Sequence, residues 1–167
     1  NADLRLTELS YNAGLADKFR YDYTMRKYET VNRLNEFFEE NDIKSVSLIL
    51  NNAIKVGDKT VCGTRGWFYD ESEDTKVRKR EVMRLIRSLE MAESLGGEKV
   101  VFLHYPPVYG EYVCNDILDV LKQYNIKTVY HGHIHGSGYN SAVSEYDGIK
   151  FNLISADCID FTPFLIV

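Results

Sequence analysis

The chain has 167 residues, 44% hydrophobic and 13% aromatic, enough apolar material for one domain with a buried core rather than a disordered segment. Its 25 acidic residues outnumber its 20 basic ones, and the net charge of −5 excludes a broad electropositive surface for a nucleic-acid backbone. The odd, widely spaced set Cys62, Cys114 and Cys158 argues against a disulfide framework and for a reduced, cytoplasmic setting, and no apolar run nears the roughly 20 residues that span a bilayer, so no membrane partner is expected. The chain opens on Asn1-Ala2 without an initiator methionine or a charged-then-apolar leader, which reads as a processed, cut or engineered end.

Residues 1–23 hold neither a period of two nor one of 3.6 for long, and no element is assigned to them. From Thr24, an N-cap residue type, to Asn41, the series Tyr28, Val31, Leu34 and Phe38 recurs at helical spacing opposite Arg, Lys and Glu, which predicts an amphipathic helix covering an apolar surface. Three short β-type runs follow, Ser45–Leu50, Ala53–Val56 and Thr60–Thr64. Asn51-Asn52 and Gly57-Asp58-Lys59 between them tolerate positive φ, so the runs read as an antiparallel meander. Between Ser72 and Leu95, Val82, Leu85, Ile86, Leu89 and Ala92 predict a long helix stopped by Gly96-Gly97. Its basic residues, Arg84 among them, alternate with Glu71, Glu73, Asp74, Glu81 and Glu90, the pattern of a solvated face rather than an anion patch.

A strand over 99–104, a Pro106-Pro107 loop, a helix over Asn115–Tyr124 and a strand over Lys127–His131 form a strand–helix–strand unit. A right-handed crossover makes such strands parallel and brings their C-terminal ends to one rim. The tail returns to β pattern at Ile149–Ile154 and Phe161–Val167, around Ser155-Ala156-Asp157-Cys158. No low-complexity linker or repeat breaks the chain, so 1–167 reads as a single α/β domain.

All four histidines, His104, His131, His133 and His135, stand where two apolar runs end. Strand ends are where open α/β sheets place ligands, and imidazole is a common donor for Zn, Fe, Ni and Co, so the set reads as a candidate transition-metal centre. In Gly132-His133-Ile134-His135, residues two apart can face one region while the glycine lets the backbone approach an ion. The plain alternative is a set of loop histidines satisfied by hydrogen bonds.

Leu103-His104-Tyr105-Pro106-Pro107 and Tyr130-His131-Gly132-His133-Ile134-His135-Gly136 resemble the last two signature motifs of the calcineurin-like metallophosphoesterase superfamily. Gly63-Thr64-Arg65-Gly66-Trp67 and Ser155-Ala156-Asp157 are similar to their counterparts in a bacterial branch of it. The resemblance covers roughly residues 25–167. It implies a four-layer α/β/β/α sandwich with two divalent ions, Mn, Fe or Zn, at the strand ends, and hydrolysis of small phosphomonoester or phosphodiester substrates by a two-metal-activated hydroxide. It further implies His104 and His133 as ligands of one ion and His135 of the second. His131 matches no ligand position and is taken as supporting or structural. Arg65 is a candidate phosphate contact, since a guanidinium grips two oxygens at once; an ordinary surface arginine in a glycine-flanked turn is the alternative.

The family's first three motifs, Asp-x-His, Gly-Asp-x-x-Asp and Gly-Asn-His-Asp/Glu, do not precede the helix at 24–41, and no histidine precedes His104. Gly57-Asp58-Lys59-Thr60-Val61 begins like the second of these but reads as a hairpin turn. The expectation is therefore the C-terminal part of such a domain, with no catalytic residue assignable in this chain and one or no ion held by it alone. Two alternatives stand beside it. One is a non-catalytic module that binds one ion or self-associates into a homo-oligomer through an exposed sheet edge. The other is an α/β domain with no metal.

Overall fold

In a computed structural model that describes residues 2–49, 51–67 and 75–166, the chain divides into two compact units, Asn1–Leu48 and Ile49–Val167. The first is helical. α1 spans Ala2–Asn12 and α2 Lys18–Glu40, so the stretch without an assigned element is largely helix. α2 starts at Lys18 rather than Thr24. Its N-cap is Asp17, whose carboxylate accepts the Arg20 N–H at 2.7 Å and satisfies one of the helix's orphan donors. Between the helices Gly14 takes φ +71°, and the Tyr11 and Tyr21 rings stack with centroids 4.4 Å apart. No residue of α2 is buried. Tyr28, Val31 and Phe38 are half-buried and Leu34 is exposed, so within this unit the expected stripe does not close over a core.

The second unit is a mixed α/β fold. β1 (Ala53–Val56) and β2 (Lys59–Thr64) form the expected hairpin across Gly57-Asp58, with Gly57 at φ +62°. The expected strand at Ser45–Leu50 does not form over 45–49, and Leu50 lies outside the described residues. A strand exists through its partner's ladder, and among the described residues β1 is the sheet edge, paired with β2 alone. α3 spans Thr75–Leu95 and ends at Gly96-Gly97, both at positive φ; the expected first turn at 72–74 lies outside the described residues. Then come β3 (Glu98–Leu103), the small hairpin β4 (Val108–Tyr109) and β5 (Tyr112–Val113), α4 (Asn115–Gln123) and β6 (Thr128–His131). A 3-10 turn at Gly136–Ser141, β7 (Glu145–Tyr146) and β8 (Ile149–Leu153) complete the order.

Six strands join in the order β1-β2-β3-β6-β8-β7. The central four are parallel and the two edges antiparallel. Cys62, Val101, Val129 and Phe151 are register partners across the parallel strands, one side chain from each. This row packs under Leu85, Leu89 and Ala92 of α3 and Ile117, Leu118 and Leu121 of α4, and the two helices touch each other, so they cover the same face. Each buried Leu or Ile of these helices stabilises the fold by about 1.5–3 kcal/mol. The expected strand at Phe161–Val167 is absent over 161–166, and Val167 lies outside the described residues. Asp160 and Phe161 sit at φ +50° and +53° and Pro163 has no N–H, so this tail cannot supply a ladder. It leaves Phe164 edge-on to Tyr130, centroids 5.9 Å apart. Among the described residues no helix is long and apolar enough to cross a membrane.

Gly63 binds the hairpin to both α3 and β3. Its φ of +138° turns its N–H to the buried Ser88 hydroxyl at 2.8 Å, and that hydroxyl donates in turn to the Asn52 carbonyl at 2.6 Å. A Cβ at this position would lie 1.8 Å from the Phe102 carbonyl oxygen, whereas one at Gly57 would meet nothing within 4 Å. Gly63→Ala is expected to cost about 3 kcal/mol or more of unfolding free energy and Gly57→Ala about 1 kcal/mol, read from urea denaturation midpoints.

Candidate metal and phosphate site

Parallel strands deliver their C-terminal ends to one rim, and the last register row there is Thr64, Leu103, His131 and Leu153. The chains stay tied beyond the strands. The Arg65 carbonyl accepts the His104 and Tyr105 N–H groups at 3.1 and 2.9 Å, the His104 carbonyl accepts Gly132 N–H at 3.2 Å, and the His131 carbonyl accepts Ile154 N–H at 2.8 Å. Arg65, His104 and Gly132 are thereby side by side, although they are far apart in sequence.

Strand alternation separates the histidines. His131 shares the helix-covered face with Val129 and is 2% exposed, so the ring belongs to the core. Its Nδ1 lies 3.3 Å from the Gly132 carbonyl oxygen, an acceptor only, so Nδ1 carries the proton and Nε2 is a buried lone pair with no hydrogen-bond partner among the described residues. Burial holds its pKa below the ordinary value of 6.5, against a smaller opposing effect of the Gly132 carbonyl.

His133 is displayed on the rim by an unusual backbone. Ile134 N–H donates to the Gly132 carbonyl at 2.9 Å, an i to i+2 bond, and His133 between them has φ +70°. This is the geometry of a γ-turn of the rare, strained sense, which costs a non-glycine residue on the order of 1–3 kcal/mol. The turn sets the His133 ring 5.1 Å from the His104 ring and 4.4 Å from that of Tyr105, centroid to centroid, all edge-on. Two imidazoles on one tetrahedral cation, with metal–nitrogen bonds of about 2.0–2.1 Å, have centroids on the order of 5 Å apart. The His104–His133 spacing thus suits a single shared ion.

The Arg65 guanidinium lies 5.4 Å over the Tyr105 ring and 3.7 Å from Glu81 Oε1. Glu81 is 1% exposed, pairs with Arg84 Nη1 at 2.6 Å and accepts the Thr64 hydroxyl at 3.3 Å. This corrects the assignment of Glu81 to a solvated face. Its spacing to Leu85 and Leu89, one turn apart each, places it on the buried stripe of α3, where a carboxylate stands only if paired. His135 is held differently. Its Nδ1 lies 2.8 Å from Asp157 Oδ1, and the other carboxylate oxygen accepts Gly136 N–H at 3.3 Å. The Tyr139 hydroxyl, then the bonds from His135 and Gly136, hold the Asp157 pKa down to about 2, against desolvation.

Of the expected site residues, the structure brings together Arg65, His104 and His133 and turns His135 to Asp157. Among the described residues no group of three or more His, Cys, Asp or Glu side chains is close enough to cage an ion. Tyr105 and Asp157 carry contacts that the motifs alone did not single out; Tyr105 adjoins a site histidine in sequence, and Asp157 follows the last core strand. No family model matches the chain, and no solved structure matches it. Fold and rim together define a mixed α/β protein with imidazoles at the C-terminal ends of adjacent parallel strands.

Two outcomes follow from the backbone and the burial. His133→Gly relieves the positive φ and His133→Ala does not, so the glycine variant is expected to be the more stable of the two by about 1 kcal/mol in chemical denaturation, although both lack the imidazole. For His131 the folded pKa is below the unfolded one, so the unfolded chain binds the proton first and stability falls as pH drops below about 6.5. Denaturation midpoints should decline over that range, and the decline should be smaller in His131→Gln.

Proposed function

We propose that the protein is part of a metal-dependent phosphoesterase acting on small phosphomonoesters or phosphodiesters, built on the α/β/β/α sandwich plan that its motifs resemble. The observation that carries this reading is the His104–His133 pair, 5.1 Å apart on loops following neighbouring parallel strands, one of them held at positive φ. Strained backbone at a displayed polar side chain persists where the surrounding structure enforces it, and such positions cluster at functional sites. His104 and His133 would hold one divalent ion, and the Nε2 of His135 faces away from Asp157 as a donor to a second. Bound there, such ions supply Lewis acidity that neutralises charge developing on phosphoryl oxygens. Arg65 grips the phosphoryl group, its guanidinium kept in place by the Tyr105 face and the Glu81 carboxylate.

The donor set fits part of a centre. Three neutral imidazoles bring no negative charge to two cations, and Mn in particular prefers oxygen donors, so in this reading carboxylate ligands come from residues outside the 167. A second reading has its own support: the edge-on cluster of His104, Tyr105 and His133 offers two imidazoles to one cation and no carboxylate to a second, as suits a non-catalytic module that binds one ion.

Assay of the intact gene product on 4-nitrophenyl phosphate and bis(4-nitrophenyl) phosphate, with Mn, Fe or Zn added after chelation, decides between them. Metal-dependent turnover that falls at least about 100-fold in His104→Ala and His133→Ala supports the phosphoesterase reading. Metal uptake without turnover supports the binding module. The absence of both metal uptake and metal-dependent hydrolysis overturns the proposal.

A further inference from the structure

The Ser155–Asp160 turn after β8 is folded by Cys158 and Ile159 N–H bonds to the Ser155 carbonyl, at 2.8 and 3.2 Å. It carries the Asp157 side chain to the loop that follows β6. One oxygen of that carboxylate meets His135 Nδ1 at 2.8 Å and the other meets the Gly136 N–H at 3.3 Å. The Tyr139 hydroxyl acts electrostatically on the same carboxylate. The His135 ring, its neighbour's backbone and the following 3-10 turn are thus gathered on one acceptor. An ionised carboxylate only accepts, so the proton between the two side chains sits on Nδ1 and the Nε2 lone pair points away. Free imidazole samples both tautomers, and a ring bound to nothing rotates about two torsions.

We propose that Asp157 is a positioning residue: it fixes His135 as the Nδ1–H tautomer and presents the Nε2 lone pair at the rim as a ready-made donor to a divalent cation. The proposal rests on the reading of His135 as a metal donor. Carboxylates that hold the distal N–H of a histidine ligand raise its basicity and fix its ring, and their loss costs about 10–100-fold in metal affinity. Asp157 therefore contributes to the centre without touching the ion, which also accounts for a carboxylate at the rim that joins no cage.

The test uses the 15N-labelled 167-residue chain in metal-free buffer at mildly alkaline pH, with Asp157→Ala, Asp157→Asn and His135→Ala. Two-bond proton–nitrogen correlations report each histidine's tautomer, and circular dichroism confirms folding; if the alanine variant does not fold, the near-isosteric asparagine variant carries the test. The expected result is His135 as Nδ1–H in the parent and redistribution towards Nε2–H in the Asp157 variants. Zinc affinity of the intact gene product by titration calorimetry is expected to fall about 10–100-fold with those substitutions, no further than with His135→Ala. An Nε2–H His135 in the parent, or unchanged tautomer or zinc affinity in the variants, overturns the positioning role. If the tautomer responds as expected while the intact gene product takes up no zinc, the positioning of His135 stands and the metal reading fails, so the two are separated.

Discussion

The constraint on which the structure depends is the register of four parallel strands. Once Cys62, Val101, Val129 and Phe151 are aligned under α3 and α4, the period of two along each strand decides every other side chain. His131 must fall on the helix-covered face with Val129, and Gly132 and His133 leave it. Because the strands are parallel, their ends coincide, and Arg65, His104 and His133 arrive at one rim without any contact between them being needed to bring them there. The helix–sheet core is the source of energy, and the rim is its geometric consequence.

At the rim, stabilising contacts are spent on holding side chains that the fold itself does not need. His133 accepts a strained backbone, and the His135 and Gly136 bonds to Asp157 gather the His135 loop. Glu81, buried, is shared by Arg65 and Arg84. Taking a carboxylate out of water is costly unless its partners are well placed, so a buried acid beneath two arginines is a device for orientation more than for stability. The same division appears in the glycines: Gly63 is required by a close approach to β3, while Gly57 serves only a turn.

Much of this was legible in the residues because it followed from local periodicity. The β1–β2 hairpin, α3, the β3–α4–β6 crossover and its parallel pairing all follow from apolar spacing and turn residues, and so does the convergence of His104 with His133. What was not legible depended on partners elsewhere in the chain. Ser45–Leu50 and Phe161–Val167 have strand composition, but the sheet offers the described parts of them no ladder. Lys18–Tyr23 joins α2 because Asp17 caps it, while two of its three aromatics, Phe19 and Tyr23, are exposed and obscure the helical period. Glu81 looks like its charged neighbours until its place one turn before Leu85 is set against the sheet, and Asp157 gains its meaning only from a loop 22 positions earlier.

The order of strands also bears on how the molecule assembles. The β1–β2 hairpin closes a two-residue turn and can form early and alone, whereas each pairing that builds the rim, β2 with β3, β3 with β6 and β6 with β8, joins segments separated by a helix or a long connection. Non-local pairing carries the loop-closure entropy before it gains the contacts, so it is the slow part of a fold. The histidine rim is then a late product of assembly, and until it closes, the apolar runs that end in His104 and His131 are the segments most open to pairing with another chain.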